Sequence, residues 1–183
     1  MTDNPVEQRP VDHEAPLNTF SQCHAGILAQ LDALAGLPAL VEAAARARGV
    51  AANTLAMFQL GIFEHHAEEE AELFPAVLRS AHPGAERDRV QGIVERLTGE
   101  HRTLETLWKR VEPALNATVK GKYAEVDVDI VAELVCAYGM HARFEEEEFL
   151  PLSDIILGRD GNHMAALGLA LHMRHSQRPP GYL

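Results

Sequence analysis

Cysteine is scarce in this chain of 183 residues: Cys23 and Cys136 are the only two, and neither belongs to a CxxC pair. A disulfide framework or a zinc knuckle is therefore not indicated, and a reducing cytoplasm is the expected compartment. Positive charge is also short. Sixteen Lys and Arg stand against 27 Asp and Glu, a net charge of −11, which disfavours electrostatic capture of nucleic acid or of an anionic membrane surface. The opening MTDNPVEQRPVDHEAP has no apolar leader core and reads as a disordered tail over residues 1–16. No later stretch reaches the roughly 18 apolar residues of a membrane span. Alternating β-branched runs are short, so strands have no obvious home. Two enzyme signatures, HExxH and GxxxxGK, are absent, which removes zincin-type proteolysis and phosphate-loop chemistry. No histidine has a glutamate three residues before it, as the ferritin-like di-iron carboxylate bundles require.

What remains is helical and apolar at helical spacing. Hydrophobic residues make up 46% of the chain, enough for one sizeable core. Leu17, Phe20, His24, Ile27, Leu31 and Leu34 recur at steps of three and four until Gly36 and Pro38, where the pattern predicts a break. An alanine-rich piece leads to a second stripe of Leu55, Phe58, Ile62, His65, Glu69 and Leu73. A third carries Val90, Val94, Leu97, His101, Leu104, Trp108 and Val111, and a fourth Val131, Leu134, Tyr138, His141, Glu145, Phe149 and Leu152. Four long helices with short connectors predict an all-α, antiparallel up-down four-helix bundle over residues 17–157. Residues 158–183 add a C-terminal amphipathic helix, with His163, His172 and His175, and a tail.

The polar residues on these stripes repeat. HHAEEEAELFP at 65–75 is echoed by HARFEEEEFLP at 141–151, and His24 precedes His65 by 41 residues as His101 precedes His141 by 40. Around the single histidines the offsets are also the same: Phe20, His24, Ile27, Leu31 against Leu97, His101, Leu104, Trp108. A duplicated helical hairpin accounts for this. Positions four apart share a helix face, so His65 with Glu69, and His141 with Glu145, each project two ligand atoms in one direction. His66 with Glu70 has the same spacing. Pro75 and Pro151, each six residues after a glutamate of the pairs, favour His65 and Glu69 and leave His66 flanking.

Two carboxylates on inner stripes that hold no lysine or arginine need another counter-charge, and a metal ion supplies it most simply. Imidazole and carboxylate without thiolate suit iron, manganese or zinc. Six protein ligands would saturate one octahedral ion. On two ions, four histidines and two bridging carboxylates fill about eight of about twelve positions; an oxo or hydroxo bridge takes two more and leaves room for an exogenous ligand.

The order His, HxxxE, His, HxxxE, with Phe or Leu before the proline, resembles a haemerythrin-like (HHE) domain over most of the chain. The resemblance implies a four-helix bundle with a non-haem di-iron centre held by His24, His65, Glu69, His101, His141 and Glu145. It also implies a small ligand such as dioxygen, nitric oxide or peroxide, for sensing, storage or iron and oxidative-stress handling. A peroxide-decomposing or oxidase-type enzyme, and a closed site for zinc or another single metal, are the alternatives. The oxygen carriers of that family resemble HxxxH on the third helix; here Glu105 follows His101 by four residues, which weakens the oxygen-carrier reading and makes Glu105 a further candidate ligand. Tyr138, one turn before His141, is a candidate to line the cavity.

Overall fold

The computed structural model describes residues 15–162 together with 164, 165, 167 and 168, with side chains from residue 22 onward. The expected N-terminal tail and most of the C-terminal helix, including His163, His172 and His175, lie outside the described residues. Helix accounts for nearly all of what is described, and no strand occurs there. Compact packing divides the chain into two units, Met1–Arg46 and Ala47–Leu183.

The first unit, where described, belongs to helix α1 (Ala15–Met57). The break expected at Gly36 and Pro38 does not occur, since Pro38 lies inside the helix. Proline removes one ladder hydrogen bond and costs about 3 kcal/mol. The alanine-rich segment that follows is high in helix propensity and carries the helix past it. Ile27, Leu31, Leu34 and Leu40 are all more than half exposed. By length and composition alone, one helical stretch within Gln22–Ser80 is apolar enough to cross a membrane, where the sequence reading found none. None of that apolar window is buried.

The second unit holds three long helical runs among the described residues, and a further helical stretch begins at Gly161. The first comprises the end of α1, a π turn (Phe58–Ile62), α2 (Phe63–Glu68), a second π turn (Glu69–Leu73) and α3 (Phe74–Ser80). The second run is α4 (Ala85–Val119). The third comprises α5 (Val128–Phe144), a π turn (Glu145–Phe149) and α6 (Leu150–Leu157). Gly84, at φ +93°, begins α4, whose first turn closes with the His82 N–H donating to Glu86 at 2.6 Å. Asp127 caps α5 by accepting from the N–H groups of Asp129 and Ile130, both at 3.1 Å. Both connectors are short, so α4 runs antiparallel to its neighbours: Arg89 near its start pairs with Glu148 near the end of the third run, and Gln59 reaches Glu112.

Two apolar clusters stabilise this unit. One gathers Leu55, Phe58, Ile62, Leu104, Leu107, Trp108, Val111, Ile130 and Leu134, with Phe58 and Trp108 stacked at 3.9 Å. The other gathers Phe74, Val77, Val90, Ile93, Leu97, Phe149, Ile156 and Leu157. Along every run the buried residues that lie between the two clusters are polar: His66 and Glu69, then His101, then His141 and Glu145. Antiparallel packing brings these three interruptions to one level. The fold thus places a belt of ionisable groups between two dry layers.

Candidate metal centre

The belt is built where the helical ladder changes pitch. Two of the π turns begin on Glu69 and Glu145, and in each the next helix's first residue closes an i→i+5 bond, Phe74 N–H to Glu69 O and Leu150 N–H to Glu145 O. Each turn is followed by a proline, Pro75 or Pro151, with no N–H for the ordinary i→i+4 bond. The extra residue of a π turn relieves that missing donor and re-aims the side chains around it. On the first run the inward positions therefore read Ile62, His66, Glu69, Phe74 and Val77, with a five-residue step after Glu69.

Phase explains the main difference from the sequence reading. His66, expected to flank, is buried at 3% exposure, whereas the His65 side chain is 54% exposed. Both still reach the belt. His65 Nε2 lies 3.1 Å from Glu69 Oε1, and the His66 ring stacks on His101 at 3.8 Å with His141 edge-on at 5.4 Å. The donor atoms fall into two groups, His66, His101 and His141 in one, His65, Glu69 and Glu145 in the other, with the atoms of each group within 4.8 Å of one another. Ligands about 2.1 Å from a common ion are separated by up to about 4.2 Å, so small side-chain adjustments close either group on a cation. Glu69 links them: Oε1 faces His65, and Oε2 lies 3.4 Å from His101 Nε2.

Four of the six residues proposed from the sequence, His101, His141, Glu69 and Glu145, lie buried in this belt, and His65 stands at its rim. His24 is exposed in the N-terminal unit and belongs to neither group. Glu105 pairs with Arg102 at 2.7 Å and also belongs to neither. The steps from Ile62 to 65 and to 66 are equally helical, and the spacing from Pro75, which favoured His65, carried no sign that His66 would be the more buried of the two.

The electrostatics are those of a site short of positive charge. Both ring nitrogens of His66, His101 Nε2, Glu69 Oε2 and Glu145 Oε1 are buried with no hydrogen-bond partner. Such orphans are rare and costly. Burial, then repulsion from His101, pushes His66 down to about 3, so its ring is a neutral donor at any ordinary pH. Burial opposes charge on Glu69, but the close approach of His101, 3.4 Å away, and of Glu145 outweighs it and holds the carboxyl at about 2; burial and the neighbouring Glu69 push Glu145 up to about 9. The direction is that of two carboxyls sharing one proton. A cation held by these groups would engage one nitrogen of His66 and the other orphaned atoms and would displace that proton, so the residues fit metal binding.

A cavity of about 420 Å³ opens onto His65, Glu69, His141 and Glu145, with Tyr138 on its wall. Burial and the two carboxylates raise the Tyr138 phenol above its ordinary value, so it stays a proton donor.

No curated protein and no solved structure matches the chain. The family model described as Hemerythrin HHE cation binding domain matches residues 15–153, well over half of the chain. With its buried histidines and glutamates ranged at one level of a helical core, the chain belongs to the hemerythrin HHE cation-binding family.

Proposed function

We propose that the protein holds two non-haem iron ions and binds dioxygen, nitric oxide or a related small ligand, for sensing, storage or the handling of iron and oxidative stress. The observation that carries this reading is the pairing of an all-imidazole group with a carboxylate-rich group through Glu69. His66, His101 and His141 would hold one ion, and His65, Glu69 and Glu145 the other. Iron supplies reversible binding and redox chemistry toward small ligands. The chain's own residues orient the donors, exclude water with the two apolar clusters, and place the Tyr138 hydroxyl as a proton donor on the wall of the cavity.

We also propose that the chain forms an antiparallel up-down four-helix bundle over residues 17–157. Two observations support this. The second unit carries an apolar groove of about 890 Å³, lined by Val50, Met57, Leu115, Val131, Leu134 and Tyr138 among others and reaching His65. The first unit presents Ile27, Leu31 and Leu34 to solvent on the stripe that carries His24. An exposed apolar stripe and an apolar groove of this size each favour burial.

Metal analysis of anaerobically purified protein tests the first reading: two iron per chain are expected, and one tightly held zinc with no iron uptake overturns it. Leu31→Asp tests the second, with a lowered melting temperature expected and an unchanged one refuting it. An enzymatic reading, peroxide decomposition, is favoured by Tyr138 alone; oxygen evolution from peroxide that Tyr138→Phe abolishes would establish it, and none above free iron would remove it.

A further inference from the structure

The three imidazoles of the buried group are not held alike. His101 Nδ1 meets Glu70 Oε1 at 2.8 Å, and His141 Nδ1 meets Glu100 Oε2 at 3.1 Å. Each carboxylate comes from a neighbouring helical run, Glu70 from the first and Glu100 from the second. Each is engaged on its other oxygen by an arginine: Arg102 on Glu70, and Arg96 on Glu100 at 2.7 Å. Those arginines are anchored in turn, Arg102 on Glu105 at 2.7 Å and Arg96 over the Phe144 ring at 3.5 Å. Two chains of the same chemistry, arginine to carboxylate to imidazole, therefore run inward from the surface. His66 has no such chain, and both of its ring nitrogens are unpartnered.

We propose that Glu70 and Glu100 are positioning residues for the metal centre, each accepting the Nδ1 proton of a histidine and so fixing His101 and His141 as the tautomer whose Nε2 lone pair faces the core. The inference rests on the metal-binding reading above. A carboxylate whose second oxygen already accepts from a guanidinium has its plane fixed as well as its acceptor role, and the imidazole it holds can rotate in neither direction. A carboxylate at the outer nitrogen also makes the inner nitrogen a stronger donor. His101 Nε2 is buried without a hydrogen-bond partner, as a lone pair kept for a cation requires. His66, oriented by ring contacts alone and by no hydrogen bond, is the ligand that metal must itself order. Glu70 thereby takes a role distinct from the one its i,i+4 spacing to His66 suggested, and Glu105 serves at the outer end of a chain rather than as a ligand.

The experiment uses the full chain and cobalt(II) as the probe. Isotope-edited NMR of the metal-free protein reads the histidine tautomers, and cobalt titration followed by its d–d absorption reads affinity at each position. In the wild type, His101 and His141 are expected as the Nδ1–H tautomer. Glu70→Leu and Glu100→Leu are expected to mix the tautomers and to weaken one cobalt position about 10- to 100-fold. Glu70→Gln and Glu100→Gln keep an acceptor oxygen and are expected to retain the tautomer and to lie closer to wild type than the Leu variants; they also guard against a Leu variant that fails to fold. Unchanged tautomers and affinity in the Leu variants, or Gln variants as impaired as Leu, overturn the proposal. A wild type that takes up no cobalt fails the metal-binding reading instead, and the tautomers of the metal-free chain still test the hydrogen bonds.

Discussion

Replacing Glu145 by Gln removes the one group whose proton should govern stability between pH 7 and 9. Glu145 sits at about 9 in the folded chain against an ordinary 4.5, so at neutral pH the folded protein binds a proton there that the unfolded chain has lost. For a carboxyl raised in this way, the stabilisation is complete below the unfolded value and is lost as pH rises toward the folded value, by about 1.4 kcal/mol per pH unit. Other shifted groups act elsewhere. His66 and His141 are lowered from 6.5, so they weaken the fold only as pH falls below that value, and Tyr138 is raised above 10. With about 2–4 °C per kcal/mol for a chain of this size, the metal-free wild type should lose roughly 3–5 °C of melting temperature per pH unit from 7 to 9. Gln is a neutral isostere of the protonated acid, so metal-free Glu145→Gln should melt at nearly constant temperature over the same range and above the wild type at pH 9. The assay is thermal unfolding by circular dichroism after chelation. Parallel curves for the two proteins would refute the shared proton and with it the argument that metal replaces it. Metal-loaded wild type should lose its slope, because the cation displaces the proton.

The other predictions concern ligands, core and cap. His66→Ala and His65→Ala should each reduce iron from two per chain toward one, read by metal analysis; two ions retained in His66→Ala would return that residue to a packing role. Phe149, fully buried and edge-on to Phe74 at 5.1 Å, should cost about 3–5 kcal/mol when changed to Ala, measured by denaturant unfolding of the chelated protein. A loss under 1 kcal/mol would mean that the cluster around Phe74 and Phe149 does not pack as described. Asp127→Ala removes two N-terminal hydrogen bonds of α5 and should cost about 1 kcal/mol in the same assay.

Periodicity made the helices of the second unit legible, because Val90, Leu97, Leu104, Trp108 and Val111 are spaced for one face and are all buried there. The duplicated HxxxE made the centre legible, since antiparallel runs bring matching interruptions of an apolar stripe to one height. The phase beyond Glu69 was not legible. A stripe at steps of three and four reaches Leu73, yet the buried residue is Phe74, one position on, as a π turn demands. A one-residue ambiguity of the same kind left His65 and His66 equally placed by spacing, and His66 is the more buried of the two. The bonds of Glu70 and Glu100 were hidden for another reason: they join residues 31 and 41 positions apart, and an acidic run on an exposed face carries no mark of which carboxylate turns inward. Continuation through Pro38 depended on a balance of a few kcal/mol between one lost bond and the propensity of many alanines.

The two halves of the centre answer to different forces, and this bears on the order in which they fill. On the imidazole side, His66 is already neutral at ordinary pH, so a cation entering there has little proton to displace from that ring. On the other side a cation must expel the proton shared by Glu69 and Glu145, and its apparent affinity there should rise about tenfold per pH unit up to about 9. At pH 6 the imidazole position should therefore fill first, and by pH 9 the gap should narrow by as much as three decades. Calorimetric titration with cobalt(II) at the two pH values checks this. The proton count is decisive: about one proton released by the second ion and few by the first is the expected pattern, and equal release by both would mean that Glu69 and Glu145 do not both serve one ion as their geometry indicates.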